Sequence, residues 1–412
     1  MNKLTVRDFD ATGRRVLVRV DFNVPISDGK VVDDARIRAA IPTILLLVSQ
    51  GARVVLASHL GRPDGKVSES LRLRPVGQRL AEILSRRVPV TGDALGVGTE
   101  DAVARMKAGE IILLENLRFH AEEEADDPAF AARLASYADI FVNDAFGSAH
   151  RAHASTVGIA RILPAYAGLL MEREITMLAR LVEDPQKPFA AVLGGAKVSD
   201  KLRVIENLVD RVDIFVIGGG MANTFLLAQG QSVGKSLAEH DMVEDARRIL
   251  ARAERKKVRF VLPTDVVIAK EVTRGTEYKT VPVERVPASW RIVDIGAASI
   301  ERFGDALTPA RTVFWNGPLG VFEIPSFAHG TKAIGRLLAA RADGGAIVVV
   351  GGGDSVAAVT QQGIASSMHL STGGGASLEY LEGRELPGIA VLLDRPAPVK
   401  PVKPVAKSRK KA

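Results

Sequence analysis

Two lysines that follow a pair of glycines near the middle of the chain are the side chains best placed for chemistry. Gly194-Gly195 ends an apolar run, and Lys197 and Lys201 follow it four residues apart. A turn from a strand into a helix can bind anions, because backbone N–H groups at the helix N-terminus face the ligand and the helix dipole is positive there. We predict Ser199 as the N-cap, with Lys201 in the first helical turn. A solvated surface position for both lysines is the open alternative.

A second group of polar side chains follows the apolar runs of the first half of the chain. Ligands of parallel sheets bind at the carboxyl ends of the strands, so side chains at those ends should meet. A planar guanidinium matches paired phosphate or carboxylate oxygens, so several arginines at one edge predict a site for a small polyanion. Any one of these arginines alone would be assigned to the solvated surface. The group comprises Asp21, Asn23, His59, Arg62, Arg118, His150 and Arg151, and Arg36 adds another guanidinium at the start of a helix.

The second half of the chain is instead rich in glycine runs, whereas the first half contains no Gly-Gly pair. Glycine allows backbone N–H groups to approach phosphates and allows a flat base to lie against the chain. This bias predicts a nucleotide site in the second half, although plain tight turns would explain one or two of the runs. These runs include residues 194–195, 218–220, 351–353 and 373–375.

Two acidic residues of the second half could also contact a nucleotide, Asp354 after a glycine run and Glu323 in the loop after residues 317–322. Asp354 follows the third run and precedes an apolar helical pattern, so we predict a helix N-cap there. A carboxylate next to nucleotide phosphates can also meet Mg²⁺, directly or through water. Glu323 could accept hydrogen bonds from ribose hydroxyls, and Trp315 is expected in the core rather than stacked on a base.

One motif is rejected. Residues 230–236, Gly-Gln-Ser-Val-Gly-Lys-Ser, resemble a phosphate-binding P-loop. They are one residue short between the glycines, and they follow a predicted helix instead of a strand, so the required context is missing.

Apolar runs that alternate with helical patterns position these side chains. The alternation predicts an α/β fold of two doubly wound domains, each a parallel sheet covered by helices, joined by a hinge. Leu169–Val182 is a long helical pattern at the junction, and the acidic stretch Glu122–Asp127 is predicted to be solvated surface. The predicted strands are Val16–Val20, Arg53–Ala57, Ile111–Leu114, Asp139–Val142, Phe189–Leu193, Asp213–Ile217, Val258–Leu262, Thr312–Phe314 and Ala346–Val350. The predicted units are residues 1–168, an interdomain helix and hinge at 169–188, residues 189–372, a returning segment at 373–395, and a basic tail at 396–412.

The amino-acid composition limits the kinds of function that this chain can have. The 412 residues include no cysteine, which excludes disulfides, thiolate metal sites and cysteine nucleophiles. No secretory signal or bilayer-spanning run is found, so a cytoplasmic location without membrane contact is expected. Of the net charge of +7, six positive charges lie in residues 397–412, which contain no acidic residue, so residues 1–396 carry only +1. A nucleic-acid partner is therefore not expected for the folded body, and the Pro/Val/Lys tail is predicted to be extended and solvated.

Eight motifs, in chain order, resemble the phosphoglycerate kinase family, and the resemblance runs from about residue 5 to residue 392. They are RVDFNVP (19–25), SHLGRP (58–63), LENLRF (114–119), NDAFGSAHR (143–151), GGAKVSDK (194–201), WNGP (315–318), GGGD (351–354) and STGGGA (371–376). The chain departs from the family at Ala297-Ala298-Ser299, where Pro, a charged residue and Thr are usual. The basic tail lies beyond the family's usual end.

The resemblance implies reversible transfer of the acyl phosphate of 1,3-bisphosphoglycerate to MgADP, giving 3-phosphoglycerate and MgATP. Arg36, Lys197 and Lys201 would act on the moving phosphoryl group, and Asp354 would meet Mg²⁺. The residues that would hold 3-phosphoglycerate are Asp21, Asn23, Arg36, His59, Arg62, Arg118 and Arg151. Those that would contact the nucleotide are Lys197, Lys201, Gly219, Gly220, Asn316, Glu323, Gly352, Gly353, Asp354 and Ser355. The segment 373–375 would open a helix aimed at the cleft.

The chemistry of such a reaction agrees with the residue types. A carboxylate nucleophile is already ionised at neutral pH, so no general base is needed, and His59 and His150 are interpreted as binding groups. Phosphoryl transfer depends on positioning and charge neutralisation, and closure of a hinge would exclude water. We expect a monomer. Two other hypotheses are a nicotinamide dehydrogenase, which the absence of Gly-x-Gly-x-x-Gly after the first strand opposes, and a nucleic-acid-binding protein, which the near-neutral body opposes.

Overall fold

Two parallel β-sheets, one in each half of the chain, organise the structure, a computed structural model that describes residues 2–361, 363–364 and 367–396. The strands of the first half are β1 (Arg15–Val20), β2 (Ile26–Ser27), β3 (Lys30–Val31), β4 (Arg53–Ala57), β5 (Ile111–Leu113), β6 (Ile140–Asp144) and β7 (Ala165–Ala167). Its helices are α1 (Ala35–Ser49), α2 (Arg74–Leu84), α3 (Val97–Ala104), α4 (Ala121–Glu124), α5 (Pro128–Ala135) and α6 (Leu169–Val182). The first sheet has the order β5-β4-β1-β6-β7, and its paired strands are parallel.

The second half repeats this design. Its strands are β8 (Phe189–Leu193), β9 (Ile214–Ile217), β10 (Arg259–Val261), β11 (Asp265–Ala269), β12 (Tyr278–Pro282), β13 (Arg291–Ile295), β14 (Thr312–Asn316), β15 (Ile347–Gly351) and β16 (His369–Leu370). Its helices are α7 (Leu202–Leu208), α8 (Gly219–Ala228), α9 (Val243–Arg255), α10 (Ala297–Leu307), α11 (His329–Asp343), α12 (Gly353–Thr360), α13 (Gly375–Leu381) and α14 (Pro387–Ala390). A parallel sheet of order β10-β9-β8-β14-β15-β16 is accompanied by the antiparallel sheet β12-β11-β13.

Burial on both faces explains why the central strands are continuous apolar runs. In β1, Val16 and Val18 belong to one apolar cluster and Leu17 to another on the opposite face. In β8, Val192 and Leu193 divide in the same way. A parallel sheet covered by helices needs both faces apolar, so the predicted fold class is confirmed. Trp315 is fully buried in β14, as expected.

Helix α6 links the two sheets, with the bounds that the sequence predicts. Asp144, at the end of β6, holds its first turn, because the carboxylate Oδ1 accepts hydrogen bonds from the N–H groups of Leu170 (2.9 Å) and Met171 (3.2 Å). Glu174 in the same helix reaches the second half, where Oε2 lies 2.9 Å from His369 Nε2 and Oε1 accepts from the Thr372 N–H at 2.7 Å. The domain boundaries themselves stay a prediction.

The C-terminal segment returns to the first half. The Gly388 N–H donates to the Ala149 carbonyl (2.8 Å), and the Leu393 N–H donates to the Ala165 carbonyl (3.0 Å). Residues 397–412, and with them the prediction of an extended tail, lie outside the described residues. Within the described ranges, no helix is both long and apolar enough to cross a membrane.

The acidic stretch 122–127 is not solvated throughout. Glu123 is fully buried, and its two carboxylate oxygens accept from the hydroxyl (2.6 Å) and the N–H (3.0 Å) of Ser155. The prediction of a solvated surface is therefore wrong for this residue. A carboxylate can be buried in this way only because polar partners replace the lost water.

Candidate active site

An arginine-lined cavity of about 410 Å³ opens at the carboxyl ends of the first sheet. It contains every residue that the sequence assigns to 3-phosphoglycerate. We call it the arginine cavity, and it is lined by Asp21, Asn23, Arg36, His59, Gly61, Arg62, Arg118, Gly147, Ser148, His150, Arg151 and Thr372–Gly375.

Arg36 is oriented by groups on the strand-end loop after β1. Its Nη1 lies 3.2 Å from each carboxylate oxygen of Asp21 and donates to the Asn23 carbonyl at 3.1 Å. The Asn23 side-chain oxygen accepts in turn from the Gly61 N–H at 2.9 Å, which ties this loop to the one after β4. Nε and Nη2 of Arg36 have no hydrogen-bond partner among the described residues. They can therefore form a two-pronged contact with an anion.

Three more guanidinium groups make the cavity positive. Arg118 is buried and donates from Nη1 to the Gly61 carbonyl at 2.9 Å. Burial lowers its pKa, but the guanidinium starts so far above neutrality that it stays charged. Arg62 is exposed, and Arg151 lies 3.9 Å from Glu124, which is also 3.4 Å from Arg118 Nε. Four cations face the carboxylates of Asp21 and Glu124, so the cavity favours a ligand with several negative charges.

The two histidines of the cavity add hydrogen-bonding groups rather than charge. Burial, followed by the charges of Arg19 and Arg118, lowers the pKa of His59 well below its usual value. Burial also lowers the pKa of His150. Both rings are therefore neutral at pH 7, which agrees with a binding role rather than a base.

A second cavity, of about 350 Å³, lies in the other half and shares no lining residue with the first. Its walls are mainly apolar side chains and backbone. Of the residues predicted to contact the nucleotide, it contains Gly219, Gly220, Glu323 and Asp354. We call it the glycine cavity, and its other lining residues include Gly195, Ala196, Leu237, Val266, Ile292–Ile295 and Pro318–Val321.

Some glycines around this cavity are required by the packing of the turns, where one backbone segment lies directly against another. Gly219 has φ +64°, and a Cβ there would lie 2.7 Å from the Gly195 nitrogen and 2.8 Å from the Pro318 oxygen. A Cβ on Gly220 would lie 2.8 Å from the Ala196 oxygen. In contrast, a Cβ on Gly353 would meet nothing within 4 Å. Close packing of turns thus explains part of the glycine bias, and at Gly353 no such packing requires a glycine.

The lysine motif differs from the prediction in its capping. The Ser199 hydroxyl donates to Glu239 Oε1 at 2.6 Å, and α7 begins only at Leu202, so Ser199 is not the N-cap and Lys201 occupies that position. Lys201 Nζ lies beside Gly195 at the rim of the glycine cavity. Burial lowers its pKa, and the charges of Asp200 and Asp354 oppose that shift. Lys197 is exposed, and neither lysine lines either cavity.

The motifs at the ends of β14 and β15 are only partly placed as predicted. Asp354 lies in the first turn of α12 rather than at its N-cap, which is Gly352. Asn316 is buried, with its side-chain nitrogen packed against Gly352. Ser355 is fully buried, and its hydroxyl accepts from the Gly317 N–H at 2.6 Å. Its position therefore does not support a contact with the phosphates, and it holds the neighbouring turn instead.

The departure from the family at residues 297–299 has a structural explanation. Asp265 caps α10 by accepting from the N–H groups of Ala298 (3.2 Å) and Ser299 (2.7 Å). The Ser299 hydroxyl donates back to the Asp265 carbonyl at 2.7 Å. Serine supplies the same hydroxyl as threonine, so the hydrogen bonds between this helix start and Asp265 are present.

Thr372 and Arg19 are two of the residues at the arginine cavity to which sequence reasoning gave no role. Thr372 belongs to its wall although it lies in the chain that follows the second sheet. Arg19 is fully buried in β1, and its Nη2 lies 3.0 Å from His59 Nδ1. The signal for Arg19 was a charged residue inside an otherwise apolar strand, a position that is tolerated only when the charge has partners.

Two helix-covered parallel sheets carry an arginine-lined cavity, suited to a polyanion, and a separate glycine-walled cavity for a second small molecule. The sequence profile of the family described as phosphoglycerate kinase matches residues 6–384. The chain belongs to the phosphoglycerate kinase family, and it is an enzyme of glycolysis that transfers a phosphoryl group. Membership in this family decides against the dehydrogenase hypothesis.

The chain is similar to known phosphoglycerate kinases over nearly its whole length. Phosphoglycerate kinase of Pelotomaculum thermopropionicum is 57% identical over 396 residues, which are 96% of this chain and 100% of the relative. That of Chloroflexus aurantiacus is 56% identical over 398 residues with the same coverage. Among solved structures, phosphoglycerate kinase from Coxiella burnetii gives a TM-score of 0.85 at 40% identity, covering 94% of this chain and 98% of that one. The Pyrococcus horikoshii structure gives 0.84 at 36% identity with the same coverage.

Proposed function

We propose that the arginine cavity holds 3-phosphoglycerate or 1,3-bisphosphoglycerate, that the glycine cavity holds ADP or ATP, and that the phosphoryl group passes between them. The observation that carries this assignment is the convergence of all seven substrate-assigned side chains on one cavity that is separate from the glycine cavity. ATP formation from ADP and 1,3-bisphosphoglycerate in a coupled assay tests it directly. Absence of ATP formation by the folded protein would contradict the proposal.

The acceptor needs orientation rather than activation. The carboxylate of 3-phosphoglycerate is ionised at neutral pH, so no side chain has to remove a proton. Arg36, held by Asp21 and the Asn23 carbonyl, keeps two donors free for the reacting carboxylate and the phosphoryl oxygens. Asn23, His59, Arg62, Arg118 and Arg151 bind the distant phosphate and the hydroxyl. Charge neutralisation of this kind is the principal protein contribution to phosphoryl transfer.

The nucleotide side follows from the walls of the glycine cavity. Gly219 and Gly220 would flank the adenine, and the carboxylate of Glu323 would accept from ribose hydroxyls. Lys201, at the cavity rim, would neutralise the transferring phosphoryl group, and exposed Lys197 would approach the phosphates when the cleft closes. The residues assigned to the remaining phosphate contacts are Asn316, Gly352 and Gly353.

The donor set fits Mg²⁺ carried by the nucleotide. Among the described residues, no group of three or more His, Asp or Glu could enclose a metal ion. Mg²⁺ usually keeps several waters and binds one or two carboxylates together with substrate phosphates. Asp354, which lines the glycine cavity, would supply the protein ligand. When bound, Mg²⁺ would neutralise phosphate charge beside Lys201.

Transfer between separate cavities requires the two halves to approach. Helix α6 and the contact of Glu174 with Thr372 connect the sheets directly. Thr372–Gly375 form one wall of the arginine cavity, so movement of the second half would reshape that site. Closure would also exclude water, which would otherwise accept the phosphoryl group. We also expect a monomer, and we place the enzyme in the cytoplasm.

Gly353→Ala should weaken nucleotide binding without harming the fold. A Cβ there meets no protein atom within 4 Å, so the thermal midpoint should not fall, but it would occupy space assigned to phosphate. We expect the KM for ATP to rise roughly five-fold or more. Gly98→Ala is the matched control, since Gly98 also lies near a helix N-terminus in open space. An unchanged KM for ATP would remove Gly353 from the phosphate site.

Deletion after Arg395 should leave kcat within about two-fold of the full chain, because the contacts that anchor the C-terminus precede that point. Deletion after Glu385 is the contrasting variant. It removes α14 and the Leu393 hydrogen bond to Ala165, so the thermal midpoint should fall. A large loss of activity in the shorter deletion would show that the tail acts in the cleft or in docking of the two halves.

A further inference from the structure

The buried guanidinium of Arg19 makes three hydrogen bonds beneath the arginine cavity. Nε donates to the Ser155 hydroxyl (2.9 Å), Nη1 donates to the Val20 carbonyl (2.6 Å), and Nη2 lies 3.0 Å from His59 Nδ1. Arginine has donors but no acceptor, so His59 Nδ1 must be the acceptor in this contact.

This contact determines which nitrogen of His59 carries the proton. A neutral imidazole has one N–H, so an accepting Nδ1 leaves the proton on Nε2. His59 lines the arginine cavity, and its Nε2 has no hydrogen-bond partner among the described residues. The ring therefore presents a free donor to the cavity. The opposite tautomer would present a lone pair, which repels an anion.

We propose that Arg19 is a positioning residue that fixes the Nε2–H tautomer of His59, so that this ring donates a hydrogen bond to an anionic oxygen of the bound phosphoglycerate. The proposal rests on the function assigned to the arginine cavity. Arg19 is fully buried and does not line the cavity, so it acts through His59 and not by contact with the substrate.

A chain of donors holds Arg19 in place. The Ser155 hydroxyl that accepts from Arg19 donates in turn to Glu123 Oε1 at 2.6 Å, and the Ser155 N–H donates to Glu123 Oε2 at 3.0 Å. Glu123 is itself fully buried, and its charge opposes the desolvation of Arg19. A buried cation needs such a partner, and Glu123 also orients the Ser155 hydroxyl so that its oxygen accepts from Arg19.

Ring ¹⁵N resonances of His59 in the free enzyme at pH 7 test the tautomer directly, with His59→Gln to assign them. We expect a neutral ring protonated at Nε2. A proton on Nδ1, or an imidazolium, would overturn the proposal. This measurement does not depend on substrate binding or on any variant of Arg19.

A double-mutant cycle tests the route of action. Arg19→Met should raise the KM for 3-phosphoglycerate about ten-fold or more and leave the KM for ATP unchanged, because a charged donor to the ring is lost. Arg19→Lys, which keeps one donor, should recover part of this loss. In a His59→Ala background, Arg19→Met should change the KM for 3-phosphoglycerate by less than about two-fold.

Independent, multiplying effects of the two substitutions would show that Arg19 does not act through His59. Arg15→Met is the control on the same strand, since Arg15 pairs with Asp139 away from the cavity. If His59→Ala alone left the KM for 3-phosphoglycerate unchanged, the assigned role of His59 in the arginine cavity would fail, whereas the tautomer measurement would still stand.

Discussion

Arg36→Ala should abolish phosphoryl transfer while nucleotide affinity stays within about two-fold of the unaltered enzyme. Arg36 lies in the arginine cavity, which shares no residue with the glycine cavity, so ATP should bind as before. Loss of a fixed cation at the reacting group costs about 10³-fold in kcat, and a transferring phosphoryl group is especially sensitive to such a charge. Steady-state kinetics in both directions and ATP titration measure the two quantities.

Arg38→Ala is the matched control for this substitution. Arg38 lies on the same helix, but it pairs with Asp34 and does not line the arginine cavity. Arg36→Lys should recover only part of the activity. A guanidinium group can contact Asp21 with one nitrogen and the ligand with the others, and a single ammonium nitrogen cannot do this. Equal loss of transfer and of ATP affinity in Arg36→Ala would contradict the assignment of the two substrates to separate cavities.

Lys201→Ala should lower kcat by about 10²-fold or more and change the KM for 3-phosphoglycerate by less than about three-fold. Lys201 Nζ lies beside Gly195 at the rim of the glycine cavity and is coupled to Asp354, so its charge is placed for the phosphoryl group rather than for the glycerate. Burial lowers its pKa, which means that the folded state holds this charge at a cost. The thermal midpoint of the variant should therefore be equal to or higher than that of the unaltered enzyme.

Lys235→Ala is the control for Lys201. Lys235 is exposed and belongs to the segment that resembles a P-loop but lies outside both cavities. It should have normal kinetics. Unchanged turnover in Lys201→Ala would remove this lysine from the reacting group, and a selective rise in the KM for 3-phosphoglycerate would place it on the other substrate.

Local sequence was sufficient to predict the central strands of both sheets and most of the residues that line the arginine cavity. The runs 16–20 and 189–193 are apolar at every position but Arg19, because both faces of a covered parallel sheet are buried, and this signal does not depend on distant residues. The carboxyl ends of parallel strands meet at one edge by topology alone. Asp21, His59 and Arg118 could therefore be brought together before their contacts were known. The strands β7 and β16, with three and two residues, were too short to give a pattern.

Only the tertiary structure determined which residues far apart in the chain are hydrogen-bond partners. Ser199 has the residue type of an N-cap, but its hydroxyl is taken by Glu239, which is 40 positions away. Glu123 lies in an acidic stretch typical of a surface, yet it is buried because Ser155 supplies two donors.

The same division holds at the two cavities. The sequence determined that glycines follow the strands of the second half, and the structure showed that close packing of Gly219 against Gly195 is one reason for them. It determined that Arg19 stands out within an apolar strand, and only the fold joined it to His59 and Ser155. The spacing of apolar residues along the sequence indicates which positions of a helix or strand are buried. The hydrogen-bond partner of a buried polar group depends on which elements meet, and that is a property of the folded chain.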